Sequence, residues 1–126
     1  MNSDILKKRT YNFALSIIDL LDDLPKSVTS DVMGKQLLKS ATSIGANYRA
    51  ACKAKSKADF INKIKIVEEE ADETEYWINL MKDSDNFKKI DFNEVLKEAM
   101  ELNKIFSASA KTAKSNQKNS NNKVVN

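Results

Sequence analysis

The chain has 126 residues, 41% hydrophobic and 31% charged, with a net charge of +3; that is enough for one buried core and hardly two. Two glycines and one proline exclude turn-rich sandwiches, barrels and glycine-rich phosphate loops. A single cysteine and no histidine exclude an internal disulfide, a thiol zinc cluster, Ser-His-Asp and Cys-His catalysis, and the Glu-x-x-His di-iron centres of many helix bundles.

Basic residues precede an apolar stretch at the amino terminus, but Asp19, Asp22 and Asp23 interrupt it and no small-residue cleavage site follows, so the segment reads as a helix and not a secretion signal. Leu6, Thr10, Phe13, Ile17, Leu20 and Leu24 alternate at four and three residues, predicting a helix over about 3–24 with these side chains on one face. A second row, Tyr11, Ala14, Ile18 and Leu21, widens the apolar stripe beyond what one partner helix covers. A monomer in water would leave that row uncovered, so self-association is expected. Pro25 disfavours helix at Leu24, and Ser27, Thr29 or Ser30 can cap the next element.

The second helix is predicted over about 31–54, with Leu37, Ala41, Ile44, Tyr48 and Ala51 inward and the small residues Ala41, Gly45 and Ala46 permitting close approach of a neighbour. Ser56 is a natural cap for a third helix over about 57–84, whose core row is Phe60, Ile64, Val67, Ala71, Thr74, Ile78 and Met81. After Asp83-Ser84-Asp85-Asn86, a fourth helix over about 88–114 places Phe92, Val95, Ala99, Leu102 and Phe106 on one face. Residues 115–126, rich in Asn, Ser and Lys, are expected to be a disordered polar and basic tail. Residues 1–114 therefore predict an all-α, antiparallel up-down-up-down four-helix bundle. No stretch of about 18 apolar residues is present, so no membrane contact is expected; the lone thiol, Cys52, fits a reducing, cytoplasmic setting.

Leu37 to Asp85 closely resembles the four-helix-bundle proteins first known from intervening sequences in bacterial 23S rRNA genes. Its strongest portions are Ser40-Ala41-Thr42-Ser43-Ile44-Gly45-Ala46-Asn47-Tyr48-Arg49 and Glu70-Ala71-Asp72-Glu73-Thr74-Glu75-Tyr76-Trp77; with Leu24-Pro25 and the first helix it spans roughly residues 5–106. The resemblance implies a homopentamer of antiparallel bundles, and a relative in diversity-generating retroelements that is an accessory protein binding nucleic acid and a reverse transcriptase.

Lys35, Lys39, Arg49, Lys53 and Lys55 make the second helix the most basic segment and the candidate contact for RNA or DNA. The third helix carries a charge of −4, so the same cations can instead be solvated or pair between helices or subunits. Lys111, Lys114, Lys118 and Lys123 have no acid among them; without them the body carries −1. Glu70 and Glu73 invite a carboxylate metal site, but an all-oxygen set needs acids converging from other helices, and the plainer expectation is ion pairing with Arg49 that sets register. Tyr48, Tyr76 and Trp77 are expected as core or interface anchors and not as base-stacking platforms. Tyr11, Ile18, Gly45, Asn47, Tyr48, Glu70, Glu73, Tyr76 and Trp77 form the expected oligomer or bundle interface. The expected function is a non-enzymatic oligomeric scaffold with no cofactor or metal, whose partner is RNA or DNA, or alternatively a protein such as a polymerase; a carboxylate-metal hydrolase is the remaining alternative.

Overall fold

A computed structural model describes residues 1–125, with side chains described through Asn119; Asn126, the end of the expected tail, lies outside the described residues. The elements are α1 (Ser3–Asp22), α2 (Val28–Cys52), α3 (Lys57–Asp83), a 3-10 turn (Asp85–Phe87) and α4 (Asn93–Val125). Three helices begin on side-chain caps. Asn2 Oδ1 accepts from the Ile5 N–H at 2.9 Å, Ser27 Oγ from Ser30 at 3.0 Å, and Ser56 Oγ from Asp59 at 3.1 Å, each contributing about 1 kcal/mol. Capping by Ser27 advances the start of α2 to Val28, ahead of the expected Asp31.

The third connection differs most from expectation. Phe87 and Phe92 are both buried and meet edge to face, centroids 6.5 Å apart at 88°, so the backbone between them must turn both rings inward and cannot already be helical. α4 therefore starts at Asn93, whose N–H donates to Asp91 Oδ1 at 2.9 Å, and not near residue 88. It then continues to Val125, so the boundary expected at Lys114 falls inside the helix. At 33 residues, against 20 in α1, α4 is about 20 Å the longer.

Contacts fix the topology. Gly45 faces Thr10 while Gly34 faces Leu21 and Leu24, so α1 and α2 run antiparallel. Asn103 Nδ2 donates to Asp72 and Glu75 across α3 and α4, and Arg9 of α1 reaches Glu98 of α4. The four helices form an all-α bundle in which each packs on the next and α1 closes on α4. That last seam is the sparsest, and is clamped by two hydrogen bonds of 2.7 Å from Arg9 Nε and Nη2 to the Glu98 carboxylate.

The expected core rows are the observed ones with one exchange. Leu6, Phe13, Ile17, Leu37, Ala41, Ile44, Ile64, Val67, Ala71, Ile78, Met81, Val95, Ala99, Leu102 and Phe106 are buried together. Buried Thr10 and Thr74 satisfy their hydroxyls on the carbonyls of Leu6 and Glu70, four residues back. At the start of α3 Ile61 is buried, while Phe60 is half-buried and packs against the edge of the core. No described helix is long and apolar enough to cross a membrane.

Candidate nucleic-acid interface

Lys35, Lys39, Arg49 and Lys53 are exposed, and at 100° per residue they fall within one narrow face of α2. They are nonetheless strung out: eighteen residues of helical rise put Lys35 about 27 Å from Lys53. Lys39 stands beside Glu70, whose carboxyl it helps to keep charged. Lys55 is in the loop after α2, its N–H donating to Asp59 Oδ2 at 3.1 Å. The sequence-contiguous basic helix is thus divided between two places in the fold.

Antiparallel packing regroups the cations. The end of α2, the α2–α3 loop, the start of α1 and the distal half of α4 lie at one end of the bundle: Lys55 and Lys57 share a cleft with Asn116 and Gln117, and Arg49 shares a groove with Lys7 and Lys8. Lys111, Lys114 and Lys118 are exposed on α4 but line neither of these recesses. The acids of these segments are Asp4 and Asp59, and Asp59 is held by Lys63, 2.7 Å away. The hydrogen bonds from Lys63 and the Lys55 backbone keep the Asp59 carboxyl below its ordinary range. The sequence alone marks the α2 cations and the acid-free lysines from Lys111 onward; what packing adds is the placement of Lys7 and Lys8 beside Arg49.

The expected interface residues separate by location. Tyr48 is core: 7% exposed, tilted on Phe106 with centroids 5.3 Å apart. Burial, with help from the neighbouring Cys52 thiol, pushes its phenol up to about 12, so it is neutral throughout the physiological range. Gly45 serves the α1–α2 crossing, and Asn47 Nδ2 donates locally to the Ser43 carbonyl at 2.8 Å. Tyr11 and Ile18 are exposed on α1 beside Leu15, and Tyr76 is exposed on α3 one turn before Leu80, with Ile66 exposed farther along the helix. Trp77 is half-buried and donates its Nε1–H to Glu73 Oε1 at 3.2 Å, with Tyr76 edge-on against it.

The expected pairing of Arg49 with Glu70 and Glu73 does not occur within the chain. Arg49 lies at the α1–α2 groove, whereas Glu70 lies at the level of Lys39, ten residues and about 15 Å along α2. Among the described residues no group of three His, Cys, Asp or Glu side chains converges to hold a metal. Glu70 is raised above the ordinary carboxylate range by burial first and then by Glu73, with Lys39 opposing. A raised folded-state value means that the native protein binds this proton more tightly than the unfolded chain, so Glu70 costs stability as pH rises through the ordinary carboxylate range and into the raised one. Glu70→Gln is therefore expected to leave urea stability at pH 7 equal to wild type or higher by less than about 0.5 kcal/mol, with the difference gone at low pH. A clear loss of stability would restore a register-setting role.

The model of the 23S rRNA-intervening sequence protein family matches residues 3–108, which includes every residue of the expected interface and reaches the middle of α4. Among solved structures, the chain is similar to the crystal structure of a protein of unknown function from the S23 ribosomal protein family of Bacteroides thetaiotaomicron, at 38% identity and a TM-score of 0.77, over 88% of this chain and 99% of that one. Comparison with curated proteins gives no match. A four-helix fold with these rows and a family match over most of its length leave one conclusion: the chain belongs to the 23S rRNA-intervening sequence protein family.

Proposed function

We propose that the protein is a non-enzymatic, homo-oligomeric helical scaffold that holds nucleic acid by its phosphates at the basic end of the bundle. The observation that carries this reading is the gathering of Lys7, Lys8 and Arg49 at one groove and of Lys55 and Lys57 at one cleft, with Asp4 and Asp59 the acids of these segments. Neutralising phosphates is the main source of affinity for nucleic acid, and several cations at one end act together where isolated ones are screened.

Oligomerisation is supported by two exposed apolar rows, Tyr11, Leu15 and Ile18 on α1 and Ile66, Tyr76 and Leu80 on α3. Contact of the α1 row with the α3 row of a neighbouring copy generates a ring or a filament, whereas like-on-like contact generates a two-fold dimer. The family resemblance favours a pentameric ring. The α3 row is flanked by Glu69 and Glu73, which also favours a second reading, a scaffold whose partner is a protein.

Light scattering followed by binding of labelled RNA and DNA at low and near-physiological salt tests the proposal. An oligomer whose affinity falls steeply with salt supports it. A monomer overturns the assembly, and an oligomer that binds neither nucleic acid at low salt shifts the function to a protein-only scaffold.

A further inference from the structure

A cleft of about 430 Å³ opens where the end of α2, the α2–α3 loop and the start of α3 face the distal half of α4. Its size is within the range of about 300–1,000 Å³ that small organic groups occupy. Ala51, Cys52, Ala54, Phe60 and Ile61 line one side, and Ala113, Asn116 and Gln117 form the α4 wall. Phe60 is only half-buried against the core and borders the cleft. Lys55 and Lys57 are exposed at its edge, and none of the described residues lining it is acidic. Asp59, the nearest acid along the chain, is engaged by Lys63 at 2.7 Å. The cleft takes nothing from the apolar rows of α1 and α3 assigned above to assembly. Its α4 wall lies past residue 108, where the family match ends, so residues outside the family-matched region complete it.

The lining selects its occupant. Cations with no acid beside them call for an anion, and an apolar side with one aromatic ring calls for a flat apolar face. Asn116 and Gln117 each present an amide donor and an amide acceptor, the complement of the hydrogen-bonding edge of an unpaired base. An acyl carboxylate would use the lysines and the apolar side but leave both amides unmatched. A duplex offers phosphates to the lysines, yet its base faces and edges are engaged within the helix. A single strand offers phosphate, face and edge at every nucleotide.

We propose that this cleft receives one unpaired base of a single-stranded nucleic acid, its face against Phe60 and its edge toward Asn116 and Gln117, with the adjoining phosphate on Lys55. This rests on the phosphate-contact reading given above and adds to it a preference for single strands over duplex.

Cys52 is the only cysteine and lines the cleft, so the rate of its alkylation by iodoacetamide in the full chain reports occupancy. The probes are an oligodeoxythymidylate of about 15 nucleotides and a blunt duplex of the same length. With the single strand at about ten times its Kd, alkylation should slow about tenfold, while saturating duplex leaves the rate of the free protein. Asn116→Ala combined with Gln117→Ala should weaken single-strand binding about tenfold, with duplex binding and the mass by light scattering as in wild type. A single strand that binds without protecting Cys52, equal protection by both probes, or a double variant that loses nothing or loses both probes equally overturns the base site and leaves phosphate contact standing. A thiol that does not react in the free protein means a closed cleft, and a drop in mass in the double variant gives the cleft to a second copy; either also overturns it. Binding of neither probe by wild type removes the phosphate-contact reading together with this one.

Discussion

Lys53→Glu, Lys55→Glu, Lys111→Glu and Lys114→Glu combined are expected to lower nucleic-acid affinity by about three decades at about 0.1 M salt and to flatten the plot of log affinity against log salt by about 3 for single strands. Each phosphate contact contributes through the counterion it releases, with a slope near −0.7 per contact for single strands, so losing four contacts gives both figures. All four side chains are exposed, and none is needed for the fold, so circular dichroism and thermal unfolding should be unchanged. The control is Lys35→Glu with Lys39→Glu, which alters net charge in the same direction at the other part of α2. If that pair weakens binding as much as the set of four, the protein responds to its overall charge and the basic end is not a site. If neither set changes binding, phosphate contact at this end is wrong.

Phe106→Ala is expected to destabilise the bundle by about 3–5 kcal/mol, among the largest single-residue effects in the chain. Its ring is wholly buried and supports Tyr48 from α2, so one truncation opens a void between α4 and α2. A domain of this size holds only about 5–15 kcal/mol in all, so the urea midpoint should fall sharply at unchanged slope, and the melting temperature by some 10–20 °C. A loss below about 1 kcal/mol would mean that the ring is not enclosed as described. An oligomer stabilised by mass action would show the loss at low protein concentration first.

The core was legible because helices of this length repeat their inward positions many times, and each row stands out against charged neighbours. From Leu37 to Ala51 the α2 row is read without a slip. The slips occur where repetition is short. At the start of α3 the spacing picks out Phe60, which packs against the core only half-buried, while the more deeply buried side chain there is Ile61. Phe92 continues the spacing of the α4 row, yet it lies ahead of the helix, where it meets Phe87 across a turn. The basic end was not legible for a different reason. Lys35 and Lys53 look like neighbours in a charge count along the chain, while Lys7 and Arg49 do not; only antiparallel packing exchanges those relations. The ion pair that does join α1 to α4, Arg9 with Glu98, had no local signal at all, since its members are 89 residues apart.

That separation bears on how the chain acquires its structure. Contacts between successive helices close short loops, whereas the Arg9–Glu98 seam must bring together the two outer helices, at a loop-closure entropy that grows with the logarithm of the intervening length. Helical hairpins of low contact order form quickly, so pairing of successive helices should precede closure of the α1–α4 seam. Half-exposed and solvent-screened, the Arg9–Glu98 pair contributes at most about 1 kcal/mol, so the seam rests mainly on the thin apolar contact around Phe13 and Val95. α1 is consequently the helix whose amides should exchange with solvent by local opening before the rest of the bundle unfolds, and the one best placed to be traded between copies during assembly.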